Sequence, residues 1–181
     1  MEIEQTAIPE VLILKPKVFG DDRGFFFESF NQKQFQEQTG VETDFVQDNH
    51  SRSQQHVLRG LHYQIRHAQG KLVRAVIGEI LDVAVDIRRS SPTFGQWASC
   101  VLSASNKQQL WVPEGFAHGF YVRSDVAEVL YKTTDYYAPE QERCILWHDP
   151  DLAIDWQISG NPIISSKDQQ GNYLKNADLY D

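Results

Sequence analysis

Residues 71–88 constrain the fold more than any other stretch. Two short apolar runs, 71–77 and 80–88, flank Gly78-Glu79. In the second, Leu81, Val83, Val85 and Ile87 alternate with Asp82, Ala84, Asp86 and Arg88. A period of two is that of a β-strand, whose successive side chains take opposite faces. Gly followed by a polar residue suits a two-residue turn, so the pattern predicts a β-hairpin. Similar runs recur at 11–14, 25–30, 96–102, 109–112, 118–122 and 128–134. Asn31 is placed to cap one short helix over 32–38, closed by Gly40. Beyond Pro150 the chain reads as irregular, with short helices. Many antiparallel strands and little helix predict an all-β jelly roll, whose interior can hold a ligand. No repeat or linker interrupts the 181 residues, which suit one domain over 1–181.

Composition narrows the partners. A net charge of −8 argues against general nucleic-acid binding, which favours a basic face. It leaves room for a small anion, because a few clustered Arg and Lys residues make a local positive pocket. No apolar run approaches the roughly 18 residues of a membrane span. The first residues, Met1-Glu2-Ile3-Glu4-Gln5, are acidic and unlike a secretory signal. Cys100 and Cys144 have no metal or redox spacing, and read as reduced thiols of a cytoplasmic protein.

The chemistry concentrates at Arg59-Gly60-Leu61-His62-Tyr63-Gln64 and Lys71. Imidazole titrates near neutral pH and is the commonest general base, although most strand histidines are structural. The Lys71 ammonium suits stabilisation of an oxyanion beside a carbonyl, or is simply a solvated strand end. Arg59 and His62 have opposite parity on a regular strand, so they share a face only if Gly60 marks a bulge or close backbone approach. Tyr131 lies on another expected strand, where a buried phenol beside cations can donate a proton. Tyr137, before a Pro loop, can stack on a base or plug the core. Asp168, in Ser165-Ser166-Lys167-Asp168, can orient His62 if the tail folds back over the barrel.

Pro113-Glu114-Gly115-Phe116-Ala117-His118 resembles the second motif of cupins, small jelly-roll barrels whose metal-binding members use that histidine as a ligand. The counterpart of their first motif has His62, but Gln64 stands where a second histidine is usual. Three protein ligands are the usual minimum for a catalytic centre, so no metal is expected. His118 then serves to hydrogen-bond a phosphate or carbonyl.

Together these segments resemble the dTDP-4-dehydrorhamnose 3,5-epimerase family over nearly the whole chain: PKVFGDDRGFFFESF at 16–30, FVQDNHS at 45–51, LRGLHYQ at 58–64, QGKLVR at 69–74, PEGFAHGF at 113–120, YKTTDYYAPE at 131–140 and SSKD at 165–168. In this order and spacing they are highly specific. The resemblance implies a cupin jelly roll, a homodimer, no cofactor and no metal. It implies conversion of dTDP-4-dehydro-6-deoxy-D-glucose to dTDP-4-dehydro-L-rhamnose, in rhamnose biosynthesis, through acidified protons on the two carbons flanking the C4 ketone. In that scheme His62 is the base, Tyr131 the opposite-face acid, Asp168 the partner of His62, and Lys71 the enolate-stabilising amine. Binding roles fall on Arg23, Glu28, Gln47, Asp48, Asn49, Arg59, Lys71, His118, Glu142 and Lys167, and Tyr137 stacks on thymine. The competing readings are a single-centre epimerase or ketoisomerase on the same scaffold, a non-catalytic sugar-nucleotide-binding cupin, and a metal-dependent cupin oxygenase.

Overall fold

The computed structural model describes all of residues 1–181. In chain order the strands are β1 (Glu2–Gln5), β2 (Leu12–Lys15), β3 (Phe19–Asp21), β4 (Gly24–Phe26), β5 (Gln47–Gln54), β6 (Val57–Gln64), β7 (Lys71–Ile77), β8 (Glu79–Asp86), β9 (Trp97–Ser103), β10 (Gln109–Val112), β11 (Phe116–Val122), β12 (Val126–Thr133), β13 (Glu142–Cys144) and β14 (Ile163–Ile164). Helix α1 (Gln32–Thr39) follows β4, and the short α2 (Ser166–Gln169) follows β14. One sheet runs β1-β2-β10-β7-β12-β5 and the other β13-β6-β11-β8-β9, with β14 added beside β6. The two sheets face each other as a jelly roll, and β3 and β4 form a separate hairpin. No helix is long and apolar enough to cross a membrane.

The helix forms as its capping residues predict. Asn31 Oδ1 accepts from the Gln34 amide at 3.1 Å, and Gly40 ends the helix in the left-handed region, φ 72°. Its one buried side chain, Phe35, packs with Leu12, Leu14, Leu72 and Trp111 on the outer face of the first sheet. The run at 25–30 is shorter as a strand than expected: only Gly24–Phe26 pairs, with Phe19–Asp21.

The hairpin expected at Gly78-Glu79 does not form. β7 pairs with β10 and β12 in the first sheet, whereas β8 pairs with β11 and β9 in the second. Gly78 is instead the corner at which the chain changes sheets. Its φ is +71°, and a Cβ there would sit 2.0 Å from the Val126 carbonyl oxygen, so no other residue fits. Period two reports which faces a strand shows, not which neighbour it pairs with. The alternation in β8 separates two buried faces. Leu81, Val83, Val85 and Ile87 pack beneath the C-terminal tail with Trp156, Leu174 and Ala177. Ile80 and Ala84 join the core between the sheets, with Val73, Leu110, Phe116 and Val122. Asp82 and Asp86 are each 0% exposed. Asp86 is held by Arg88, Ser91 and Thr93, whose hydrogen bonds outweigh the upward effect of burial and bring its carboxyl to about 2.

β5, Gln-Asp-Asn-His-Ser-Arg-Ser-Gln, carries no apolar residue and so has no hydrophobic period to read. It is nevertheless a full edge strand, paired along its length with β12. One of its faces meets a polar cavity and the other solvent, which removes the usual need for apolar side chains.

Candidate active site

The cavity lies between the sheets and holds about 350 Å³. The first sheet lines it with Gln47, Asn49 and Ser51 of β5, Lys71 of β7 and Tyr131 of β12. The second contributes Arg59, His62 and Gln64 of β6, His118 of β11 and Glu142 of β13. His62 and Tyr131 therefore stand on facing walls.

Gly60 solves the parity problem of β6. His118 pairs with His62, but Phe120 pairs with Arg59, so β6 carries one extra residue against β11. That bulge turns Arg59 and His62 to the same side. Gly60 has φ +108°, and a Cβ on it would lie 2.6 Å from the His118 carbonyl oxygen and 2.7 Å from Gly119 Cα. A Cβ on Gly119 would lie 2.6 Å from the Arg59 carbonyl oxygen. Two facing glycines let the strands close around the bulge.

The tail delivers Asp168. β14 pairs parallel with the start of β6, Ile163 opposite Val57 and Ile164 opposite Leu58. Ser165 Oγ then caps α2, accepting from the Asp168 amide at 3.1 Å. Asp168, 3% exposed, accepts from the Gly60 amide at 3.2 Å and lies 2.7 Å from His62 Nε2. Burial alone would raise its carboxyl. The hydrogen bond and charge of His62, the Gly60 amide and the Ser165 hydroxyl together hold it below its ordinary value. An ionised carboxylate only accepts, so Nε2 carries the proton and Nδ1 is the free basic nitrogen.

Lys71 is 7% exposed, and burial draws its amine down to about 8 against a smaller upward pull from Glu142. It pairs with Thr133, two positions from Tyr131 on β12, so the amine and the phenol share a face. Burial raises the Tyr131 phenol; Arg59 opposes this and Glu142 adds to it. The phenol is protonated at neutral pH, as a proton donor must be.

At the mouth, Glu142 accepts from the Tyr137 hydroxyl at 2.7 Å and is bonded by the Lys167 ammonium. Burial would raise the Glu142 carboxyl, but these two partners lower it. Gln47 accepts from the Tyr137 amide at 3.1 Å and donates to Asn49 at 3.0 Å, fixing the amide row of β5. Arg59 donates to Ser53 at 2.9 Å.

Three expected binding residues lie elsewhere in the single chain. Asp48 points to the opposite face of β5 from Gln47 and Asn49, 2.9 Å from Lys132. Arg23, its side chain 90% exposed, sits in the β3–β4 turn and pairs with Asp21. Glu28 borders a second cleft near Met1, Phe30 and Gln34.

Other groups emerge only from the fold. Asp82, in an apolar run, lies 2.5 Å from His118 Nε2, and its second oxygen has no partner. Ser51 Oγ is buried at the cavity wall without a partner. A charge inside an alternating apolar strand was the available signal for Asp82; Ser51 had none. The cupin metal positions are spent otherwise. His62 and His118 each engage a carboxylate, while Gln64 donates to the carbonyls of His67 at 2.6 Å and Tyr136 at 3.2 Å and accepts from the Ala138 amide at 2.8 Å.

Known proteins resemble this chain over nearly its whole length. Residues 5–176 match the family model described as dTDP-4-dehydrorhamnose 3,5-epimerase. The chain is 62% identical over 180 residues to the dTDP-4-dehydrorhamnose 3,5-epimerase of Pseudomonas aeruginosa, covering 99% of each. A crystal structure of dTDP-6-deoxy-D-glucose-3,5-epimerase from Legionella pneumophila, in complex with dTDP-4-keto-L-rhamnose, superposes with a TM-score of 0.97 at 53% identity, covering 99% of this chain and 97% of that one. A 3'-monoepimerase from Streptomyces bikiniensis, in complex with dTDP-quinovose, gives 0.89 at 31% identity, covering 94% and 87%. With the model matched across nearly its full length, the chain belongs to the dTDP-4-dehydrorhamnose 3,5-epimerase family.

Proposed function

We propose that this chain epimerises dTDP-4-dehydro-6-deoxy-D-glucose at C3 and C5, giving dTDP-4-dehydro-L-rhamnose, by proton transfer without a metal or cofactor. The observation that carries the reading is the placement of His62 and Tyr131 on facing walls of one cavity that also holds Lys71. The C4 ketone acidifies the protons on both neighbouring carbons. His62 Nδ1 takes one of them, and the Asp168 carboxylate stabilises the imidazolium. The Lys71 ammonium stabilises the negative charge that develops on O4. Tyr131 returns a proton to the same carbon from the opposite face. One C–H bond breaks and one forms, the histidine proton passes to solvent, and the phenol regains its own. Arg59, His118, Gln47 and Asn49 bind the nucleotide-sugar diphosphate, and Tyr137 stacks on thymine once its bond to Glu142 opens.

The active form is a homodimer. Arg23 and Glu28 reach no part of their own chain's cavity, and the hairpin that carries Arg23 exposes Phe25 (63%) and Phe26 (73%). A second copy would cover these rings and receive both side chains at its cavity mouth. Two free cysteines and an acidic surface suit the cytoplasm.

The test is incubation with dTDP-4-dehydro-6-deoxy-D-glucose in deuterium oxide, following C3 and C5 by NMR. Exchange with inversion at both carbons is expected. Inversion at one carbon would make the chain a single-centre epimerase, and a migrated ketone a ketoisomerase. No exchange would leave a binding protein.

A further inference from the structure

The geometry points to an inhibitory site for a zinc-type cation at His62, Cys144 and Asp168. Cys144 is the register partner of His62 across β13 and β6. One donor atom from each of the three residues lies within 4.8 Å of the others. An imidazole nitrogen, a thiol sulfur and a carboxylate oxygen are the donors zinc prefers, and three protein ligands leave a fourth position open to the cavity. This set differs from the cupin metal positions and has only His62 in common with them.

Proton transfer makes no use of Cys144. Its sulfur has one weak contact, 3.5 Å to the Ile145 carbonyl oxygen. The tail leaves room for it at Gly171, where a Cβ would lie 3.2 Å from Sγ. The thiol is thus held beside the dyad and otherwise unengaged. On binding, the metal takes the place of the proton between His62 Nε2 and Asp168; that proton moves to Nδ1, because a coordinating imidazole stays neutral, and the thiol gives up its own. Three bonds to metal form, one proton leaves to solvent, and nothing is oxidised or reduced. Nδ1 is then protonated and cannot act as the base. Thiophilic divalent cations therefore switch the enzyme off. This consequence rests on the proposed role of His62; the binding does not.

The experiment titrates the full chain, stripped by chelator, with Co²⁺ as a spectroscopic stand-in and then with Zn²⁺ by calorimetry. Cys144→Ala, Cys144→Ser and, as a control, Cys100→Ala are run alongside. The wild type and Cys100→Ala should show a thiolate-to-cobalt charge-transfer band that zinc displaces. Both Cys144 variants should lack it and bind zinc at least about tenfold more weakly, or roughly 1.4 kcal/mol. Without metal they should turn over as the wild type does, and resist zinc inhibition by the same factor. Absence of the thiolate band, or equal zinc binding by wild type and Cys144 variants, overturns the site. A band lost in the Cys144 variants of a chain that shows no epimerisation would uphold the metal site and sink the functional reading instead.

Discussion

His62 and His118 are register partners on adjacent strands, and each turns Nε2 toward a different buried carboxylate, Asp168 at 2.7 Å and Asp82 at 2.5 Å. Two histidines side by side in a barrel would suit a metal. Here each is committed to an acid, which fixes ring orientation. Asp82 comes from the neighbouring β8, whereas Asp168 comes from a tail 106 residues from its partner.

Removing the base should separate chemistry from binding. His62→Ala is expected to lower kcat by about 10²–10⁴-fold while leaving dTDP affinity within about tenfold. Asp168→Asn should lose kcat in the same direction with little change in KM. Near-normal turnover by His62→Ala would reassign the base.

Tyr131→Phe keeps the ring and removes the proton donor. It should still wash substrate C–H protons into deuterium oxide, because His62 remains, but should form epimer slowly. Full epimerisation by this variant would show that another group supplies the second proton.

Lys71 sets a trade between activity and stability. Its amine lies at about 8 rather than 10.5. Below about pH 8 it is charged in folded and unfolded chains alike, and burying that charge costs on the order of 3 kcal/mol. Between about 8 and 10.5 the folded chain has already released a proton that the unfolded chain keeps, so the cost fades as pH rises. Lys71→Met should therefore raise Tm at pH 7, lose that gain above pH 10.5, and abolish turnover. Wild-type kcat should fall on an alkaline limb near pH 8. A destabilised Lys71→Met would mean that the ammonium has compensating partners in the empty protein.

Gly60→Ala tests the bulge. Both its positive φ and the 2.6 Å approach to the His118 carbonyl oxygen exclude a side chain. A loss of about 3 kcal/mol or more is expected, lowering Tm by roughly 6–12 °C. Gly20→Ala, whose added Cβ meets only an ordinary 3.6 Å contact, should stay within about 0.5 kcal/mol. Equal melting of the two variants would remove the close-approach argument.

Arg23 should act on the partner's cavity. Arg23→Ala and His62→Ala homodimers are each expected to be poorly active. Mixed and allowed to exchange, they should recover about a quarter of wild-type activity, since half the dimers are hybrids with one complete site. No recovery, despite hybrids seen by mass spectrometry, would place Arg23 within its own chain's site.

The chain's local patterns determined most of its strands, the capped helix and the residue types of an acid–base site, because side-chain alternation, capping groups and turn residues act over a few positions. They also carried the demand that Gly60 bend β6, since parity is local. Pairing was not local. Gly78 looks the same in sequence whether it turns a hairpin or passes the chain to the facing sheet, and only the packing of β8 against β9 and β11 decides. Likewise β5 has no apolar period, because its inward side chains face a polar cavity that other strands create. The Asp82–His118 contact and the sulfur beside His62 depend on register between strands distant in sequence. Those distances are set by how two sheets and a returning tail close on one another, and that closure belongs to the tertiary structure alone.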